Sequence, residues 1–537
     1  MVTPAGPPRN ADLVGIPDPF QTGDFGEGLP PKTIREISLI GLSNAIRNKP
    51  NWQTKVNNPE IVEKWKSEVA TNMIPGTFDY VLAELRHDAE HDPQRFGIHA
   101  VRLVDDLVPA ELVAQLKEQV RALEEVPDAK KDWHPGSNNQ VLDLVHPSLF
   151  CYVEGTTPSL SWEEAKHLSW QQLVGAGTPP AQSIKDDTDP LRDPFHSDKF
   201  QWLPSEFTVR PDGSTTITSY INNLHPRAYQ PLYKILAQIF SHFIPLFNGV
   251  LTDLFHPRSN RIDVDPYDWY ADQPEPEDED EWDEWHENRE PRQPDIPTFS
   301  PPPPPEPSPK QPIVDLKGRN LQVIIKLASI HLTPSNPTYP GGVWHVEGMD
   351  NEHIVASGIY YYDVSNITES KLSFRAAVCE PEYEQNDDNG VLAIYGLQNE
   401  QALVQELGSV VAAEGRAVAF PNLYQHRVQP FSLLDPSKPG HRKILVFFLV
   451  DPSETVISTQ VVPPQQREWV VEELVNRRGA PFRGLPDLVV ERIVDYLGFP
   501  TLEEAKKNRQ GLMDERKYFV DEVRDQWFER EFSLCEH

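Results

Sequence analysis

The residues best suited to chemistry are His345 and Glu347, two apart in the run Trp344-His345-Val346-Glu347-Gly348-Met349-Asp350, and His426 far downstream. In an extended segment, residues i and i+2 project to the same side, so His345 and Glu347 can reach one ion together. Two imidazoles and one carboxylate occupy one face of an octahedral Fe(II). Three positions stay open, two for a bidentate cosubstrate and one for dioxygen. Pro340-Gly341-Gly342 permits a close backbone approach just before this run, and His426 opens a strand-like stretch after Phe420-Pro421-Asn422. The same spacing recurs at His196-Ser-Asp198, but this follows Asp193-Pro194 with no run of short strands behind it, and reads as loop.

Arg442 extends the picture. It and His426 flank the turn-rich connection 432–440, and a hairpin centred near Leu434 sets them opposite each other on antiparallel strands. There a planar guanidinium can hold the distal carboxylate of a chelating keto acid in bidentate fashion. Lys443 then points the other way, and Lys371 or Arg375 are the alternatives from an earlier strand. Tyr220 and Asn222 share one face of an expected strand over 214–224 and are suited either to cosubstrate contact or to satisfying buried neighbours.

These residues need a β scaffold, and the second half of the chain supplies the pattern for one. Leu321–Leu332, Ile354–Val364, Leu372–Val378, Val391–Leu397, Arg416–Pro421, Gln425–Phe431 and Arg442–Val450 are short, β-branched or aromatic runs separated by turn residues. Such spacing predicts an α+β protein whose core is a double-stranded β-helix, or jelly roll, with flanking helices. Earlier, Gly97–Val104 reads as a strand. Apolar residues at three-and-four spacing predict helices over 33–95, from Pro109 and over Tyr229–Leu254, and again in 466–537.

Composition divides the chain further. Its 54 prolines are about twice the usual share. Residues 1–32 read as a disordered, Pro- and Gly-rich arm. Asp272–Glu290 holds eleven acids against the single base Arg289, and Pro291–Pro312 follows with eleven prolines. The segment 258–313 is therefore expected to be a disordered acidic and Pro-rich insertion, because it lacks the apolar surface to offset the entropy of ordering. It separates residues 96–257, the first part of an oxygenase-like domain, from 314–465, the jelly-roll core. The acidic tract is a solvated insertion or a docking site for a basic protein partner.

A net charge of −33 argues against direct nucleic-acid binding and against anionic membrane surfaces. With Met1-Val-Thr-Pro-Ala-Gly-Pro-Pro lacking an apolar signal core, the expectation is an intracellular protein, cytoplasmic or nuclear. Three cysteines, Cys151, Cys379 and Cys535, are too few for a disulfide framework and are expected to be reduced.

The run Trp344-His345-x-Glu347-x-Met349-Asp350 resembles the W-H-x-E-x-M-D motif of JmjC oxygenases. Phe420-Pro421, His426-Arg427-Val428 and Arg442 resemble the closing strands of the 2-oxoglutarate and Fe(II)-dependent dioxygenase superfamily. Ser219-Tyr-Ile-Asn-Asn-Leu-His225-Pro226, Tyr339–His345 and Tyr360-Tyr361-Tyr362-Asp363 also resemble a fungal family known only as domain of unknown function 4246, over most of residues 95–515. The superfamily resemblance implies His345, Glu347 and His426 as iron ligands, 2-oxoglutarate as cosubstrate with Arg442 as its clamp, and hydroxylation or demethylation of a small molecule or protein side chain. Glu347 stands where aspartate is commoner, and the lysine clamp of JmjC members has no clear counterpart. A metal enzyme that needs no 2-oxoglutarate, or a catalytically silent jelly roll acting as an interaction module, are the alternatives.

Overall fold

In the computed structural model of the chain the described residues are 9–17, 19–20, 28–69, 73–180, 195–273, 276, 278, 282, 285, 288–384, 387–476 and 484–523. The strands are β1 (Arg102–Val104), β2 (Val141–Val145), β3 (Tyr152–Val153), β4 (Phe200–Gln201), β5 (Ser205–Val209), β6 (Thr215–Ile217), β7 (Asn320–Leu332) and β8 (Thr338–Tyr339). After them come β9 (Ile354–Ser365), β10 (Lys371–Ala377), β11 (Val404–Val411), β12 (Ala417–Pro421), β13 (Gln425–Val428), β14 (Phe431–Ser432) and β15 (Gly440–Val450). A large antiparallel sheet runs β1-β12-β9-β15-β7-β5-β6, with β2 also on β7, and a small sheet runs β11-β10-β13.

The layering follows from alternation. Along β7, Leu321, Val323, Ile325 and Leu327 join Phe240, Phe243 and Phe247 of the helix Gln230–Phe255 in one core. Ile324 faces the other way, into a second core shared with Leu372, Phe374 and Leu407 of the small sheet. Both faces of the large sheet are therefore covered, which is why its central strands read as continuous apolar runs and not as alternating ones. The architecture is α+β, with antiparallel sheets and flanking helices. The helix Gln230–Phe255 is apolar and long enough to cross a bilayer, yet it lies largely buried against this sheet.

That helix predicts its own test. Phe247 is fully buried beside Phe240 and Phe243. Phe247→Ala leaves a cavity in a packed layer and should destabilise the protein by about 3–5 kcal/mol, read from chemical unfolding.

Several expectations require correction. Val391–Leu397 is not a strand but the end of the helix Asp388–Tyr395, capped by the Asp387 side chain accepting the Gly390 N–H and closed by Gly396 at φ 70°. Val391, Ile394 and Tyr395 are buried at helical spacing, which the β-branched composition obscured. Strands absent from the sequence reading include β2, β5 and β11; along β11 Glu406 and Gly408 interrupt the alternation, and the register shifts as Gly408 pairs with Phe374 and Glu406 with Arg375. Strand structure in 97–104 and 214–224 shrinks to β1 and β6.

The arm 1–32 and the insertion 258–313 also pack where they are described. Leu13 and Ile16 enter the core of the long helix, and Arg9 pairs with Glu206 at 2.6 Å. Ile262, Trp269 and Tyr270 are buried, Arg261 pairs with Glu84 at 2.9 Å, and Arg289 lies 3.7 Å over the Tyr270 ring while pairing with Glu384. Average composition hides these apolar islands among the acids and prolines. Most of the acidic centre, 274–287, lies outside the described residues.

Candidate metal centre

His345 lies between strands, not within a regular one. A single antiparallel bridge joins it to the start of β13: its N–H donates to His426 O at 3.2 Å and accepts in return the His426 N–H on its own carbonyl at 2.9 Å. This lattice of two bonds brings the imidazoles to 4.4 Å between centroids. Glu347 Oε1 lies 3.7 Å from His345 Nε2 and 3.3 Å from His426 Nε2. One ligand atom from each residue falls within 4.8 Å of the others.

The tautomer of His345 suits a metal. Its Nδ1 faces Val343 O at 2.9 Å, and a carbonyl only accepts, so Nδ1 keeps a proton and Nε2, on the Glu347 side, is the nitrogen that a metal would take in place of a proton. His426 is held by packing instead, with Phe420 at 4.9 Å and Phe374 across from it in the sheet. Its Nδ1 is buried, and the Tyr424 carbonyl, which favours protonation, falls short of hydrogen-bond geometry.

Electrostatics couple the three groups. Burial alone would raise the Glu347 carboxyl, but the two imidazoles hold it well below the usual carboxylate range. Burial works against protonated His345, yet Glu347 outweighs it and raises the ring; His426 is lowered, first by burial and then by the charge of His345. The carboxylate is thus kept ionised, the form a metal takes.

Two positioning residues escaped sequence reading. Asn422 is fully buried; its Nδ2 donates to Glu347 O and Ile354 O at 2.9 Å each, and its Oδ1 accepts the Glu347 N–H at 2.8 Å. It fixes the backbone of the candidate carboxylate ligand. Glu352, also fully buried, accepts from Met349 N at 2.8 Å and from Trp202 N at 2.6 Å, anchoring the turn that follows. The only local signal for Asn422 is its place between Phe420-Pro421 and His426, since its partners are remote in sequence. Asn422→Ala should weaken metal affinity by about 10–100-fold while all three ligands remain, as read by metal titration.

Trp344 alternates to the outer face of the small sheet, where Arg427 lies 4.3 Å and Arg375 5.0 Å from its ring centroid. That removes Arg375 from the candidate clamps, and Lys371 pairs with Glu369.

Arg442 does not face His426 across a hairpin. β13 pairs with β10, while β15 lies between β7 and β9, placing Arg442 opposite Ile330 and Val364. Chain neighbours joined by a turn-rich connection need not pair when each finds a longer partner in another sheet. Arg442 is nevertheless buried, on the β15 face that carries Val446 and Phe448 into the core between the two sheets. Its Nη1 donates to Ser370 Oγ at 2.9 Å, the Tyr361 and Phe431 rings lie 5.6 Å away, and its Nε has no partner. Among the described residues no carboxylate pairs with it.

Tyr220 and Asn222 lie outside the triad and outside any strand. The Tyr220 hydroxyl donates to Val462 O at 3.0 Å, and Asn222 Nδ2 donates to Leu149 O and Phe150 O while its Oδ1 accepts from Gln466. Their hydrogen-bonding groups hold loops, which is the second of the two roles open to them, satisfying buried neighbours, and not the cosubstrate contact. His196 stays apart from the triad, partly exposed and 3.2 Å from Asp350.

Comparison with known proteins adds the following. No curated protein matches the sequence. Among solved structures, a bsmA homolog from Methylobium petroleophilum PM1 is similar at 8% identity and TM-score 0.24, over 65% of this chain and 88% of its own. The Fe(II)/α-ketoglutarate-dependent dioxygenase TqaL is similar at 10% identity and TM-score 0.22, over 64% and 91%. IDO from Bacillus thuringiensis is similar at 15% identity and TM-score 0.14, over 26% of this chain and only 48% of its own. Superpositions at TM-scores this low establish no shared fold. The family model described as protein of unknown function DUF4246 matches residues 75–473, and that of the DUF4246 N-terminal domain matches 14–68. The chain belongs to the DUF4246 family.

Proposed function

We propose that the chain is a 2-oxoglutarate- and Fe(II)-dependent oxygenase built on a jelly roll whose two walls are the large and small sheets. The carrying observation is the convergence of His345, Glu347 and His426, with ligand atoms within 4.8 Å and the His345 tautomer set by Val343 O. A two-histidine, one-carboxylate set of this kind fits a non-haem iron and leaves positions open for a chelating cosubstrate. Bound iron would supply the activation of dioxygen, coupled to conversion of 2-oxoglutarate to succinate and carbon dioxide.

The chain's own residues do the rest. Asn422 orients the carboxylate ligand, Phe420 and Phe374 keep water from His426, and Arg442 offers a buried cation to an incoming carboxylate. A buried guanidinium without an anionic partner is costly, which supports a ligand that brings the anion with it. This favours 2-oxoglutarate over a metal enzyme lacking that cosubstrate.

The test is reconstitution with Fe(II) without oxygen, followed by 2-oxoglutarate and air. Succinate should form even with no second substrate, and His345→Ala should abolish it. A loaded protein that makes no succinate, with or without candidate substrates, leaves only a metal-binding scaffold.

A further inference from the structure

We propose that His134, Asp143 and His146 form a second divalent-cation site, separate from the triad at His345. Among the described residues these are the only other three side chains whose histidine and carboxylate ligand atoms lie within 4.8 Å of one another. All come from one short segment. Trp133 bridges Leu142, the His134 N–H donates to Val141 O at 2.8 Å, and the Asp143 N–H donates to Asp132 O at 2.9 Å. A turn through Gly136, Asn138 and Asn139, all at positive φ, closes the hairpin, and pairing of Asp143 with Ala328 fastens it to β7. The ligands are thus preorganised by backbone.

A second observation points to a missing partner. The Asp143 side chain is 1% exposed, and Oδ2 lies 2.8 Å from His134 Nδ1, but Oδ1 is buried with no hydrogen-bond partner. An orphaned oxygen on a buried carboxylate calls for an ion or a water. Burial would push the Asp143 carboxyl up, and the His146 and His134 rings beside it hold it down, while burial lowers His146. The Ser148 N–H donates to His146 Nδ1 at 3.2 Å, the far end of the usual range, and ligation through that nitrogen would replace this contact.

Two nitrogens and one oxygen suit Zn(II) or a similar borderline ion, with a position left open. A cavity of about 250 Å³ lined by Asp143, His146, Lys131 and Gln466 gives access. Lys326, half-buried on β7, bears on both Asp143 and His146 and opposes a cation there. Neutralising it should therefore tighten binding.

The test is Zn(II) and Co(II) titration of the full chain, with the triad silenced by His345→Ala and Glu347→Gln together. That variant should still take up one equivalent, and adding Asp143→Asn should remove it; Lys326→Met in place of Asp143→Asn should lower its dissociation constant. His134→Gln gives a second route if Asp143→Asn fails to fold. Uptake unchanged by Asp143→Asn and by His134→Gln, or no uptake by the triad-silenced chain, overturns the proposal and leaves a hydrogen-bonded histidine–carboxylate pair. Because the triad is removed, this outcome is independent of whether iron binds at His345.

Discussion

Glu347→Gln should abolish stoichiometric Fe(II) binding at the triad while leaving the protein folded. The substitution preserves shape, and the hydrogen bonds of Asn422 reach the Glu347 backbone, not its carboxylate. What disappears is the anion that faces His426 Nε2 at 3.3 Å and His345 Nε2 at 3.7 Å. Loss of an outer-shell partner alone costs about 10–100-fold in metal affinity, so loss of a charged ligand should exceed that. Metal content after anaerobic loading measures it, with Co(II) absorption reporting the coordination. Full occupancy in this variant would show that the metal sits elsewhere.

Arg442→Met should weaken 2-oxoglutarate binding by about 2–5 kcal/mol, or roughly 30- to several thousand-fold in dissociation constant, with metal content unchanged. Among the described residues the buried guanidinium is bonded only to Ser370 and aromatic faces, so an incoming carboxylate would be its first anionic partner there. The same change removes an uncompensated buried charge from the unliganded protein. Its unfolding midpoint should therefore stay level or rise, unlike that of Phe247→Ala. An unaltered dissociation constant for 2-oxoglutarate would remove Arg442 from the site and point to another cation, with half-buried Lys326, which bears on His345, the first to examine.

Where strands were matched to the wrong neighbours, long-range pairing was the cause. The alternation of Gln425–Phe431 and Arg442–Val450 identified strands, but it did not reveal that one joins β10 and the other β7 and β9. Trp269, Tyr270 and Ile262 were submerged in an acidic, Pro-rich average, and their burial depends on surfaces distant in sequence. Asn422 shows the same limit at the site itself, because an asparagine in a loop has no signature until Glu347 and Ile354 arrive beside it.

By itself the sequence determined the candidate ligand types, their local spacing at His345 and Glu347, and many of the strand-forming runs around them, since side-chain chemistry and the two-residue period are local properties. Only the tertiary structure decided that His426 closes against His345, that Arg442 stands buried with no anion beside it among the described residues, and that Tyr220 and Asn222 serve loops. The physical reason is that alternation specifies which face of a strand is buried but not which strand lies beside it; that choice belongs to packing across the whole chain.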